Sequence, residues 1–297
     1  MSAKDVIVIG AGVAGLTAAK LAAQQGYSVI NFESVVFGGL VLNINELDGE
    51  PHGSGAEFAS TLLMEITDLG VESLNETVTG LARKGNVIEV TTDQGGHQAR
   101  AVVVASGARL KKLGVPGEAE FQDRGVAHCA DCDGPMYQEQ SVAVIGGGDA
   151  AMQEALVLAQ YAKQVELIHR GSAFRAKGKL VDAVKAKDNI KVHWNTTVEQ
   201  VLGADAVTGL RVKSSGADAE IACSGMFAYV GLEPNNEFLP ADVQRAADGC
   251  ILTDESMNTS VEGVLAIGAV RSGYGGRLTQ AMAEAETAAA TLKQLLG

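Results

Sequence analysis

The sequence predicts an α/β fold of two Rossmann-like three-layer domains, the second inserted into the first. Three observations predict it. Gly10-Ala11-Gly12-Val13-Ala14-Gly15 and Gly146-Gly147-Gly148-Asp149-Ala150-Ala151 each follow a short apolar run and precede a helical pattern. That is the pattern of a dinucleotide-binding βαβ unit. Between the two turns lies Cys129-Ala130-Asp131-Cys132, a cysteine pair of redox type. Two dinucleotide turns flanking one such pair suggest a single electron path, from a nicotinamide to a flavin and on to a disulfide.

The elements follow in order. Val6 to Ile9 is a continuous apolar run and reads as a buried parallel strand. A helix is expected from Ala14 to about Gln25, stopped by Gly26, and a strand from Tyr27 to Phe32 that finishes at Glu33. Glu57 to Leu69 has amphipathic helical spacing, Val71 to Thr92 holds short strands, and Val102-Val103-Val104 is a further buried strand ahead of Ala105-Ser106-Gly107. Lys111 to Gly117 reads as a connector broken by Pro116 and Gly117. The second unit has a strand at Val142–Ile145, a helix at about Ala150–Ala162 and a strand at Val165–Ile168. Strands are also expected at Val207–Val212 and Ile221–Val230, then a connector from Gly231 to Asn236, a strand at Val264–Ile267 and a helix from about Leu278 to Leu295. The expected domains are 1–113 with 232–297, and the inserted 114–231.

Composition sets limits. The 297 residues suffice for two cores, and 46% apolar with 20% charged residues is the balance of a water-soluble globular chain. A net charge of −13 and 4% aromatics argue against a nucleic-acid surface, which needs basic patches and stacking rings. The apolar stretch from Val6 reaches Lys20 too soon to span a bilayer, and no leader pattern is visible, so a cytoplasmic protein is expected. Of the four cysteines, Cys223 and Cys250 are expected to be buried small apolar residues. No second C-x-x-C is present and His128 is poorly placed, so no metal site is expected. His52, His97, His193 and Trp194 carry no readable signal.

In each glycine turn the first glycine permits the tight bend, the second lets the backbone approach a pyrophosphate, and the third position packs helix on strand. Helix N-terminal amides then face the phosphates. The ends of the following strands separate the two sites. Glu33, about 20 residues past the first turn, suits ribose hydroxyls. His169-Arg170 with Arg175 suit a 2′-phosphate. FAD is therefore assigned to the first domain and NADPH to the second. The alternative for Arg170, Arg175, Lys177 and Lys179 is a solvated basic face. In the cysteine pair a thiolate is the exchanging species. A buried Asp131 would oppose it, and Asp133 is placed to move a proton.

Taken together, VIVIGAGVAGLTAA, Gly38-Gly39, VVVASGA, HCADCDGP, VAVIGGGDAAMQEA, HRGSAFRA, YVGLEPN and GVLAIGA resemble, in order and over nearly the whole chain, the low-molecular-weight thioredoxin reductases of the FAD/NAD(P)-dependent pyridine nucleotide-disulfide oxidoreductases. The resemblance implies FAD contacts at Gly10, Gly12, Val13, Ala14, Gly15, Glu33, Gly38, Gly39, Ser106, Gly107, Gly268, Ala269, Thr279, Gln280 and Ala281. It implies NADPH contacts at Gly146, Gly148, Asp149, Ala150, His169, Arg170 and Arg175. It further implies Asp133 as the acid, Cys132 as the cysteine nearer the flavin, a homodimer, a thioredoxin-like or other disulfide partner, and hinges near Pro116 and Pro234. The alkyl hydroperoxide reductase flavoproteins share this core but carry an extra N-terminal redox domain, which this sequence does not show.

Four departures from the family pattern stand out. Gly268-Ala269 replaces Gly-Asp, whose aspartate normally holds the ribityl chain. Thr279-Gln280-Ala281 replaces Arg-Gln-Ala after a longer loop from Arg271 to Arg277, in which Arg277 or Tyr274 are candidate substitutes. Gly171 replaces a second arginine, which leaves NADH open as a donor. Leu40 replaces Gln, and Glu46-Leu47-Asp48-Gly49 replaces Asn-x-Pro-Gly. Three readings follow: an NADPH-dependent disulfide reductase; an FAD-dependent oxidase of a small-molecule dithiol that uses oxygen; and a non-enzymatic nucleotide-binding redox sensor. The complete motif set favours the first.

Overall fold

The alternation of buried residues along the first strand explains how the chain is layered. In the computed structural model, which describes residues 3–44, 47 and 53–297, β1 (Lys4–Ile9) is buried on both faces. Val6 and Val8 pack with Leu16, Ile66 and Leu292 in one core. Ile7 and Ile9 pack with Leu81, Ile88 and Val90 in another. Two buried faces require an unbroken apolar run, and each such side chain contributes about 1.5–3 kcal/mol on burial.

The chain divides into two compact units, residues 1–109 with 233–297, and residues 110–232. In the first unit β1 is followed by α1 (Val13–Gln24), β2 (Val29–Glu33), α2 (Gly55–Asp68), β3 (Glu72–Asn75), β4 (Val78–Lys84), β5 (Val87–Thr92), β6 (Gly96–Val104) and the connecting strand β7 (Ala108–Leu110). Strands β3, β2, β1 and β6 are parallel neighbours in that order. The first half of β6 turns away into an antiparallel β4-β5-β6 meander. Gly26, at φ +88°, ends α1 in the left-handed conformation that glycine favours. A capping box between Ser54 and Glu57 starts α2.

The second unit repeats this plan. It contains β8 (Val126–Ala127), α3 (Ala130–Asp133), β9 (Ser141–Gly146), α4 (Asp149–Leu158), β10 (Gln164–Ile168), α5 (Gly178–Lys185), β11 (Ile190–His193), β12 (Thr196–Gly203), β13 (Val207–Ser214), β14 (Ala217–Ala222) and β15 (Gly225–Tyr229). A five-stranded sheet runs β11-β10-β9-β15-β8, and β12-β13-β14 form an antiparallel meander. Val142 and Val144 pack with Met152, Leu158 and Val184 of the helices. Ala143 and Ile145 pack with Val198, Val201, Leu210 and Val212 of the meander. The chain returns through β16 (Leu232–Pro234) to β17 (Val264–Ala266), parallel to β6, and α6 (Leu278–Leu296). No described helix is long and apolar enough to cross a membrane.

The structure corrects several expectations. The expected single strand at Ile221–Val230 is two, β14 and β15, because the chain leaves an exposed edge strand there and enters the buried parallel sheet. Residues 178–203 hold a helix and two strands that the sequence reading passed over. Pro116 and Gly117 are not a free connector but pack within the second unit. The Pro116 carbonyl accepts from the Val201 amide at 2.9 Å, and a Cβ on Gly117 would lie 2.3 Å from the Val201 carbonyl. The Leu113 and Gly114 amides bond the Glu118 carboxylate. His52 and, except for Leu47, the Glu46–Gly49 stretch lie outside the described residues.

Phe227, fully buried and edge-on to Tyr137, anchors the second unit. Phe227→Ala should cost about 3–5 kcal/mol. A lowered urea midpoint in the fluorescence of Trp194, the only tryptophan in the chain, checks this.

Candidate active site

Each glycine turn is shaped by a close backbone approach. Gly10, at φ +101°, would place a Cβ 2.4 Å from the Ala105 carbonyl oxygen, and a Cβ on Gly15 would lie 2.0 Å from the Gly10 oxygen. Gly12 has open space apart from one contact at 3.9 Å. The same order holds in the second unit. Gly146, at φ +156°, would place a Cβ 2.6 Å from both the Tyr229 oxygen and Ala151, whereas Gly148 has nothing within 4 Å. Gly10, Gly15 and Gly146 are thus needed by the fold, whereas Gly12 and Gly148 leave their turns open. Gly12 and Gly148 are the N-caps of α1 and α4, and neither helix start is capped by a side chain. The contrast with the Ser54–Glu57 box on α2 is direct. Two uncapped helix starts behind open glycines fit the pyrophosphates of dinucleotides.

In the first unit the turn gathers the other residues expected there. Glu33 ends β2 and its Oε2 accepts from the Ala11 amide at 2.9 Å. Gly38, at φ +110°, donates its amide to the Ala11 carbonyl at 2.7 Å, and Gly39 follows. Gly268 lies against Ala14, since a Cβ there would meet the Ala14 Cβ at 3.0 Å. Ser106 lies beside Gly10, but its hydroxyl donates to the Asn235 carbonyl at 2.6 Å, and the Gly107 carbonyl accepts from the Asn235 amide. Both therefore tie β6 to the returning chain. Ala269 is half-buried, Thr279 is exposed, Ala281 is buried, and the Gln280 amide braces the loop by bonding Gly273, Gly275 and Glu284. Arg277 holds the same loop through its carbonyl, which accepts from the Tyr274 hydroxyl at 3.0 Å.

Glu284 is the residue that sequence reasoning missed here. It is 5% exposed, its Oε2 accepts from the Gly268 amide at 2.7 Å, and its Oε1 pairs with Arg271 at 3.0 Å. It belongs to the apolar stripe of α6 that Ala281, Ala285, Ala288 and Leu292 otherwise fill. A charge on a buried helical stripe was the available signal.

In the second unit Asp149 starts α4 and accepts from the Lys177 amide at 2.8 Å, with the Lys177 ammonium at 3.4 Å. Ala150 follows it in the first turn. Arg170 and Arg175 are exposed, and the Arg175 amide bonds the Gly147 carbonyl, which brings this cation to the turn. His169 lies behind the second glycine turn. It is 8% exposed, its ring bonds the Ala173 carbonyl and packs on Phe174 and Trp194, and a Cβ on Gly147 would meet that ring at 2.3 Å. It supports the turn from within. His97 and His193 pair with Glu76 and Glu166, respectively.

Cys129 and Cys132 form a disulfide with a Cα–Cα distance of 5.3 Å. Cys132 is exposed and Cys129 half-buried, with its Sγ accepting from the Cys132 amide at 3.2 Å. Asp131 is half-buried, so its opposition to a thiolate is weaker than full burial would give. Burial, with the charge of Asp123, pushes the Asp133 carboxyl above the usual carboxylate range, while His128 pulls it back. Cys223 is buried and its thiol is pushed up to about 12, by burial first and then by Glu166. Cys250 is not buried as expected; it is half-exposed in the turn held by Asp248.

The pyridine nucleotide-disulphide oxidoreductase family model matches residues 4–290. The thioredoxin reductase of Treponema pallidum is 39% identical over 274 residues, which cover 90% of this chain and 89% of that protein. The solved thioredoxin reductase of Lactococcus lactis superposes with a TM-score of 0.93 at 32% identity, over 99% of each chain. That of T. acidophilum gives 0.91 at 29% identity, also over 99% of each.

Gly146 and Gly148 of the second turn should behave differently. Gly146→Ala should lower stability by about 1–3 kcal/mol through backbone strain. Gly148→Ala should stay within about 0.5 kcal/mol of the parent yet weaken nicotinamide nucleotide binding. Thermal midpoints with and without nucleotide check both.

Proposed function

Because the chain belongs to the pyridine nucleotide-disulphide oxidoreductase family, we propose that it is a thioredoxin reductase-like flavoenzyme. It passes electrons from NADPH through FAD to the Cys129–Cys132 disulfide, and from there to a thioredoxin-like protein. The balance is NADPH, one proton and one disulfide giving NADP⁺ and two thiols. The observation that carries this reading is the Cys129–Cys132 disulfide beside an acid, Asp133, whose carboxyl holds its proton more firmly than usual. The flavin and nicotinamide supply two-electron chemistry that side chains lack.

The protein's own groups do the rest. The Gly10–Gly15 turn with Glu33, Gly38, Gly39 and Gly268 binds FAD. Gly146, Gly148 and the α4 start, with Arg170 and Arg175, bind NADPH, where two exposed guanidinium groups suit a 2′-phosphate. A Cβ on Gly171 would lie 2.9 Å from the His169 Nε2, so a side chain there would require the His169 ring to shift. Asp133 supplies a proton to the thiolate released when the disulfide opens, and the dithiol then exchanges with the partner through a mixed disulfide. The working form is proposed to be a cytoplasmic homodimer, the state that the resemblance implies.

Cys132→Ser should abolish reduction of a thioredoxin disulfide while leaving NADPH-driven flavin reduction intact. Stopped-flow absorbance and a coupled assay separate the two, and full turnover with the partner would contradict the reading. Asp133→Asn should lower turnover by about 10²–10⁴-fold. It should also remove the alkaline fall in rate, since a raised carboxyl loses its proton as pH climbs through its pKa.

A further inference from the structure

One carboxylate next to the cysteine pair has no part in the function proposed above. Glu154 lies on the inner face of α4, at helical spacing from the buried Ala151, Ala155 and Leu158. Its Oε2 accepts from the Ala130 amide at 3.0 Å and from the Tyr229 hydroxyl at 3.1 Å. The same hydroxyl lies 3.2 Å from the His128 carbonyl. The backbone groups on either side of Cys129 are therefore fastened to one carboxylate–phenol pair.

A half-buried carboxylate is a costly way to hold a turn. A glutamine would accept the same two bonds without a charge to desolvate. What the glutamate adds is its charge, and that charge bears on the cysteines. Cys129 is the N-cap of α3, and the Asp133 amide donates to its carbonyl at 3.0 Å. The Cys132 amide donates to the Cys129 Sγ. The Ala130 amide is taken by Glu154, so it is withdrawn from any thiolate. Asp131 and Asp133 lie in the same turn and Asp123 acts on Asp133, with His128 as the opposing group. Burial, then Asp131, pushes the Glu154 carboxyl up, while the Ala130 amide and Tyr229 hydroxyl pull it down. A thiolate placed here meets the negative charge of the neighbouring carboxylates.

We propose that Glu154 is a positioning residue for the Cys129–Cys132 pair. It fixes the turn through Ala130 and Tyr229, and its charge holds the pair's equilibrium toward the disulfide, which makes the dithiol a stronger reductant. This rests on the reading that the pair is redox-active.

The test equilibrates the full-length protein with glutathione buffers at pH 7 and counts Cys129 and Cys132 thiols by alkylation and mass. Glu154→Gln keeps the hydrogen bonds and removes the charge. The equilibrium should move toward the dithiol, by about tenfold (about 30 mV for a two-electron couple) at a pH where the thiolate is populated and by less at pH 7. Glu154→Asp, which retains the charge, should stay near the parent. A folded Glu154→Gln protein with an unchanged equilibrium would show that Glu154 only packs, and the proposal would fail. Should Glu154→Gln not fold, Tyr229→Phe carries the test. Loss of the hydroxyl donor raises the Glu154 carboxyl further, so a smaller shift in the same direction is expected, and none would overturn the proposal. A parent protein whose pair never exchanges with glutathione would instead sink the proposed function and this inference with it.

Discussion

In both units the first glycine of the βα turn is pressed against the carbonyl oxygen of the neighbouring parallel strand. Gly10 meets Ala105, and Gly146 meets Tyr229. No side chain fits in that gap, so the bend, the following helix and the strand end are fixed together. The consequence is chemical. The helix starts emerge uncapped at the carboxyl ends of parallel strands, where ligands of open α/β sheets bind. The strand ends pressed against the glycines also carry the next shell of residues. Ser106 follows Ala105 and ties down the returning chain. Tyr229 sends its hydroxyl to Glu154, which holds the cysteine turn. A single backbone constraint therefore sets the nucleotide turn of each unit and, in the second, the scaffold of the disulfide.

The two units solve the same packing problem alike and treat one buried acid differently. Each covers one face of a parallel sheet with helices and the other with an antiparallel meander. Each helix layer contains one glutamate where small apolar residues otherwise pack. In the first unit Glu284 is neutralised by Arg271, and the pair locks Gly268 and the loop that follows. In the second Glu154 has an amide and a phenol as partners and, among the described residues, no salt bridge. An acid paired with a cation is static; an acid held by neutral donors stays sensitive to charge changes beside it. That difference matches their positions, one in the wall of the first glycine turn and the other against a pair that gains and loses electrons.

Much of this was legible in the residues. Continuous apolar runs at Val6–Ile9 and Val142–Ile145 marked strands buried on both faces, because a half-exposed strand would alternate. The glycine turns and the C-x-x-C are local patterns with fixed spacing, so they survive without tertiary context. The meander strands were harder. β14 is exposed along most of its length and has no apolar period to read. Pro116-Gly117 carries the composition of a linker, yet it packs against β12 because a backbone contact leaves no trace in composition. The ring of His169 packs on Phe174 and Trp194, neighbours that the residue pattern did not name. The inward acids were visible as charges at helical spacing within apolar stripes, but their partners come from distant segments and could not be named from sequence.

Electrons from a nicotinamide should reach the Cys129–Cys132 disulfide through a flavin. An anaerobic titration of the flavin-loaded protein with NADPH, followed by visible absorbance and by thiol counting, tests it most directly. The account predicts flavin bleaching, more than one NADPH consumed per flavin, and the appearance of free thiols at Cys129 and Cys132. A flavin that neither NADPH nor NADH bleaches, or one that bleaches while the disulfide stays closed, would contradict it.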